Sequence, residues 1–262
     1  MIFTAGGISG GFSLSGIHAY DKIRKKGQKN MKDKTNLIAV KEILKMFLYM
    51  PVYETTMFPF FVQHPVFETG EIYVNGEKVD ITQPEGFNQT AENIEKSIDE
   101  MQDIRKCISI LRQPYCLSFL KHVKKYLSLH DFSILLRQCW TKEENPNGDV
   151  NVPPSLAAKW FYEADKEALM GKEEYAIFNN LPESFIIYRG VSHGRNPKGM
   201  SWTRDKKKAE WYANRFGIGY VIQGIAERKN VLAFFLNKDE EEILIASKNV
   251  KEKEKLDPKN IQ

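Results

Sequence analysis

The feature that most constrains this chain is a change of hydrophobic period at Leu181-Pro182. Ahead of it, apolar residues recur at steps of three and four, as on a helix with one buried face. Beyond it they come in short runs separated by turns, as in strands. Residues 36–50 carry Leu37, Val40, Ile43, Leu44, Phe47 and Leu48 on one helical stripe. From Thr90, read as an N-cap, Ile94, Ile98, Met101, Ile104, Ile108 and Leu111 predict one long helix that Pro114 ends. Shorter helices are expected over 115–127, 132–140 and 155–170, with a polar loop over 141–152. One hairpin interrupts the helical part, turning at Asn75-Gly76, a dipeptide suited to positive φ. Strands are expected over 185–188, 199–203, 220–225, 231–236 and 243–245, with a short helix over 205–216. Helices followed by a compact set of strands predict an α+β fold.

The apolar content, 42% of 262 residues, suffices for a large core and argues against disorder throughout. A net charge of +4, spread along the chain, does not point to nucleic acid as a partner. Cys107, Cys116 and Cys139 are odd in number and lack C-x-x-C spacing, so buried or free thiols in a reducing compartment, the cytoplasm, are expected. The longest apolar run, over 46–62, is broken by Pro51, Glu54 and Pro59, so no membrane partner is expected. The expected organisation is a Gly/Ser-rich and then basic tail over 1–30, an accessory region over 31–89, a main domain over 90–250 and a charged tail over 251–262. The main domain divides into a helical part, 90–180, and sheets, 181–250.

Gly7-Ile8-Ser9-Gly10-Gly11 matches a nucleophile-elbow string, but too little chain precedes it to build the strand that presents such a serine. It reads as part of the tail. The five histidines are scattered without ligand spacing, so no metal is expected. Lys206-Lys207-Lys208 reads as the solvated face of a helix.

Three elements remain. Tyr188-Arg189-Gly190 ends an apolar strand, Ser201-Trp202-Thr203 lies in a second, and Glu240-Glu241-Glu242 runs into Ile243-Leu244-Ile245. In an extended segment only a spacing of two sets both carboxylates on one face, which selects Glu240 with Glu242. This ordered set resembles the arginine, serine, glutamate class of ADP-ribosyltransferases, which includes bacterial toxins and phage-encoded enzymes. The resemblance covers about 185–245. A block over 140–152 (Trp140-Thr141-Lys142-Glu143-Glu144-Asn145-Pro146-Asn147, then Asp149-Val150-Asn151-Val152), with Trp160-Phe161, is similar to the helical part of phage and prophage members.

The resemblance implies the ADP-ribosyltransferase fold, two small packed β-sheets forming an NAD cleft behind a helical subdomain. It implies NAD as co-substrate, Glu242 as the carboxylate that stabilises the oxocarbenium-like ribose, and Glu240 as the group that orients or deprotonates an acceptor arginine. Arg189 would grip the pyrophosphate and the Gly190 backbone would lie against the nicotinamide amide. Ser201 would fix Glu242, with Thr203 bracing the strand. Trp202, bulkier than the small residue of the toxins, would border the NAD pocket. Eleven and fourteen residues beyond the serine, Tyr212 and Arg215 stand where relatives stack on nicotinamide and touch phosphate. Residues 209–216 also read as an amphipathic helix whose aromatic residue merely packs. The function implied is mono-ADP-ribosylation of a host macromolecule, most simply arginine on a protein in the host cytoplasm, with a nucleic-acid acceptor open. NAD hydrolysis and a non-catalytic interaction or virion module are the competing readings.

Overall fold

A computed structural model describes residues 33–56, 60–237 and 240–256. The expected tail over 1–30, with its Gly7 to Gly11 string, lies outside the described residues. α1 (Leu37–Leu48) follows the predicted stripe and buries Val40, Leu44, Phe47 and Leu48. The short strands β1 (Tyr53–Glu54) and β2 (Val62–Gln63) pair next. The hairpin of β3 (Glu71–Val74) and β4 (Glu77–Asp80) then turns at Asn75 and Gly76, with φ of 53° and 87°.

The long helix departs from its prediction at both ends. α2 (Pro84–Glu100) starts at a proline in its first turn. Thr90 is therefore mid-helix and buried, and its hydroxyl has no hydrogen-bond partner among the described residues. The helix stops at Met101, whose ψ of 128° is extended, and the stripe resumes in α3 (Lys106–Ile110). Asp103 accepts from the Arg105 N–H at 3.0 Å, a local turn that competes with helix continuation. The expected boundary at 90 thus falls inside a helix.

α4 (Cys116–Val123) and α5 (Leu129–Lys142) agree with the pattern. The helix expected over 155–170 is two, α6 (Pro154–Glu163) and α7 (Lys166–Leu169), because Ala164 is extended and the Asp165 side chain caps a new start. α8 (Lys172–Asn179) was not predicted.

The C-terminal part comprises β5 (Ser184–Val191), β6 (Ser201–Trp202), α9 (Lys206–Asn214), β7 (Tyr220–Glu227), β8 (Val231–Asn237), β9 (Glu240–Ile245) and β10 (Lys251–Leu256). These form two antiparallel three-stranded sheets, ordered β10-β7-β5 and β6-β9-β8. The charged tail expected from 251 is instead strand β10 at a sheet edge, alongside β7 and with a bulge between Lys251 and Glu254. Its alternating charges suit an edge, where one side of the backbone meets water. The fold is α+β, as expected, and its small sheets are antiparallel.

One hydrophobic core runs through both parts, from Val40 and Leu44 through Phe119, Trp140 and Phe161 to Phe234, Phe235 and Ile243. The three cysteines lie in it, free, and burial pushes the Cys107 and Cys116 thiols up to about 12. No helix among the described residues is long and apolar enough to cross a membrane.

Candidate active site

The two sheets meet where their edge strands β5 and β6 approach each other. Tyr188 and Thr203 exchange both backbone hydrogen bonds, at 2.7 and 2.9 Å, tying β5 to the end of β6. Backbone groups alternate sides along a strand, so the N–H and C=O of Gly190, two residues on, face the same edge. No bridge joins Gly190 to β6 among the described residues, and Gly190 lines a cleft of about 640 Å³ between the sheets. That volume is within the range of small-molecule sites.

Antiparallel register fixes the cleft face. Ser201 lies opposite Leu244, and Leu244 shares a face with Glu242 and Glu240. Glu241 turns away and takes a bidentate pair from Arg204, at 2.8 and 2.7 Å. The predicted partition of the three glutamates therefore holds.

Glu242 is partly exposed in the cleft. Burial pushes its carboxyl above the usual carboxylate range. The Ser201 hydroxyl, the Trp140 indole and the Arg189 charge pull it back, while Glu240 adds to the rise. Trp140 Nε1 donates to Glu242 Oε1 at 3.1 Å. A second tie runs through Ser201. Asn147 Oδ1 accepts from the Met200 N–H at 2.6 Å, which orients its amide so that Nδ2 donates to Ser201 Oγ at 2.9 Å. With that lone pair used, the hydroxyl proton of Ser201 is free to point at Glu242.

Arg189 faces inward. It is 8% exposed, and its Nη1 and Nη2 donate to the carbonyls of Ser201 and Asn196 at 2.7 and 2.8 Å. Its Nε has no acceptor among the described residues, and burial lowers its pKa to about 10, so it stays charged at neutral pH. A Cβ on Gly199 would stand 2.1 Å from Nη2, so the loop ahead of β6 lies directly on the guanidinium. Arg189 thus clamps the serine strand and supplies positive charge to Glu242. The fork expected to grip pyrophosphate is largely occupied by protein carbonyls.

Gly190 is a packing glycine as well as an open edge: a Cβ there would meet the Ala209 carbonyl at 2.1 Å and Ala213 N at 2.7 Å, both in α9. Trp202 is 2% exposed, on the opposite face from Ser201, with an indole N–H that finds no partner among the described residues. It borders the cleft as a core residue. The Thr203 hydroxyl accepts from the Asp205 N–H at 3.0 Å, which starts α9; Thr203 is the pivot between sheets and helix.

α9 buries Ala209 and Ala213 and leaves Tyr212 exposed, as is Phe216 just beyond its end, so the aromatic does not merely pack inward. Tyr212 Oη donates to Glu240 Oε2 at 2.5 Å, and Lys208 Nζ lies 2.6 Å from Glu240 Oε1. Lys208, expected as a solvated residue, is a cleft residue. Arg215 stands at the mouth beside Arg195, at 3.4 and 3.5 Å from Glu144 Oε1. Both guanidinium groups lie 4.9 Å from the Phe216 ring centre.

Comparison of the chain with protein-family models, curated proteins and solved structures finds no match. The function must be argued from the site. Arg189, Ser201, Glu240, Glu242, Tyr212 and Arg215 all line the one cleft. The sequence reading did not assign roles to Trp140, Asn147, Lys208 or Arg195. Trp140 and Asn147 stood in the block noted for its resemblance, the one signal that could have found them.

Proposed function

We propose that the protein is a mono-ADP-ribosyltransferase of the ADP-ribosyltransferase fold that moves ADP-ribose from NAD to a macromolecular acceptor, an arginine side chain of a protein. The observation that carries this reading is the convergence of Arg189, Ser201 and Glu242, distant in sequence, on one cleft with Glu240 at its side. The cleft suits the co-substrate. The free backbone edge of Gly190 can pair with a carboxamide, and Arg195 and Arg215 provide cations at the mouth for phosphate oxygens.

In the proposed reaction the bond between nicotinamide and ribose breaks, and nicotinamide leaves with the bonding pair. The Glu242 carboxylate stabilises the positive charge that develops on the sugar, in a site where low solvent content strengthens the effect. A guanidino nitrogen of the acceptor then bonds to the same ribose carbon. Glu240 takes its proton.

One observation favours water as the acceptor instead. Glu240 is already paired with Lys208 and hydrogen-bonded by Tyr212, so an acceptor guanidinium must displace a cation to reach it. Incubation with labelled NAD and cell lysate separates the two. Labelled protein that disappears in Glu242→Ala supports transfer, while free nicotinamide without labelled macromolecule supports hydrolysis. Glu240→Gln is expected to lose transfer and retain part of the hydrolysis. Equal loss of both overturns the division of roles. If the parent neither cleaves nor binds NAD by calorimetry, both enzymatic readings fall.

A further inference from the structure

The helical part does more than precede the sheets. Trp140, at the end of α5, is 1% exposed and held edge-on against Phe161 at 5.2 Å between ring centres. That packing leaves its ring little freedom, and its one donor is spent on Glu242 across 102 residues of chain. We propose that Trp140 is the positioning residue for Glu242: the helical part fixes the rotamer and charge of the reactive carboxylate, so the active site is complete only when both parts are packed together. The inference rests on the transferase reading for its catalytic consequence.

A carboxylate with two oxygens in a cleft has several rotamers. One rigid N–H donor selects among them and favours the ionised form over the protonated one. Asn147 supplies the parallel constraint on Ser201 from the same region, so both groups that act on the ribose side are set from outside the sheets. The charged and titratable groups around Glu242 are Arg189 on β5, Glu240 on its own strand and Tyr212 on α9. Lys208 sits beyond Glu240, with Glu143 and Glu144 on the loop after α5. Replacing Trp140 by Phe alters none of them directly.

The test is Trp140→Phe, assayed for nicotinamide release across pH. Loss of the donor is expected to lower kcat about tenfold with KM for NAD unchanged within about twofold, and to move the acidic limb of kcat up by about one pH unit. A purely structural role would lower the yield of active protein without moving the limb. A parental limb and kcat, or a rise in KM alone, overturns the proposal. If Trp140→Phe does not fold, the parent decides: its Trp140 indole ¹H–¹⁵N resonance should shift with pH as Glu242 titrates and stay fixed in Glu242→Gln. An indole that does not titrate while NAD is cleaved overturns the coupling and leaves the transferase reading intact. An indole that titrates in a protein without NAD cleavage upholds the coupling and overturns the transferase reading.

Discussion

Glu143 shows how one buried carboxyl acts at the residue scale. Its Oε1 accepts the Leu117 N–H at 2.8 Å near the start of α4, and burial pushes its pKa to about 8. The folded state therefore keeps this proton at neutral pH, whereas the unfolded chain loses it near the ordinary glutamate value of about 4.3. Between those values the native state binds more protons than the unfolded one, so the contribution of Glu143 to stability falls as pH rises from about 5 to about 8. Glu143→Gln preserves the accepting oxygen and removes the titration. The melting temperature of this variant is expected to decline less than that of the parent over that window, as followed by circular dichroism. Parallel curves would show that Glu143 ionises normally. Glu242 is raised in the same direction, so the carboxylate that the proposed reaction requires forms above the usual carboxylate range.

At the scale of elements, the contact of α9 with β5 joins fold to site. Gly190 permits it: the helix backbone lies where a side chain would begin. Gly190→Ala cannot be accommodated by moving a side-chain tip, so α9 must shift and carry Tyr212 and Lys208 away from Glu240. The expected cost is about 1–3 kcal/mol, measured by urea unfolding. Cleavage of NAD, where it occurs, should weaken in the same variant. A stability equal to the parent's would mean that α9 is held elsewhere. The strands β5 to β9 were legible from their apolar runs and the hairpin from Asn75-Gly76, whereas the two-residue strands β1 and β2 were too short to leave a pattern. β10 was not legible, because its Lys-Glu alternation lacks the apolar face that marks a half-buried strand, and its pairing depends on β7 being in place. The breaks at Met101 and Ala164 were missed because the apolar stripe continues through them while the backbone does not.

For the whole molecule, the continuity of the core is the main constraint. α1 packs through Phe47 on Phe119, at 5.5 Å between ring centres, and the Asn36 N–H donates to the Tyr126 carbonyl at 2.8 Å. Glu174 on α8 binds Arg137 and accepts from the Leu236 N–H, at 2.8 Å for the latter, which links helices to β8. A core shared in this way should unfold as one unit, so a single thermal transition is expected by fluorescence and circular dichroism together. A fragment spanning 181–262 should fail to fold alone, having lost Phe161 and Arg137 against Phe235 and Met170 against Phe234. Two separated transitions, or a folded fragment, would contradict this.

By itself the sequence determined the α+β layout, the hairpin turn and which two of three adjacent glutamates share a face. These follow from local backbone chemistry and from periods of two and of three to four residues, which neighbouring positions alone can encode. Only the tertiary structure decided that Arg189 turns inward onto backbone carbonyls, that Lys208 reaches Glu240, and that Trp140 and Asn147 reach Glu242 and Ser201 across 102 and 54 residues. Such contacts leave no periodic trace. They exist because burial of one common core brings polar groups from distant segments to the same cleft, where most of them find a partner in place of water.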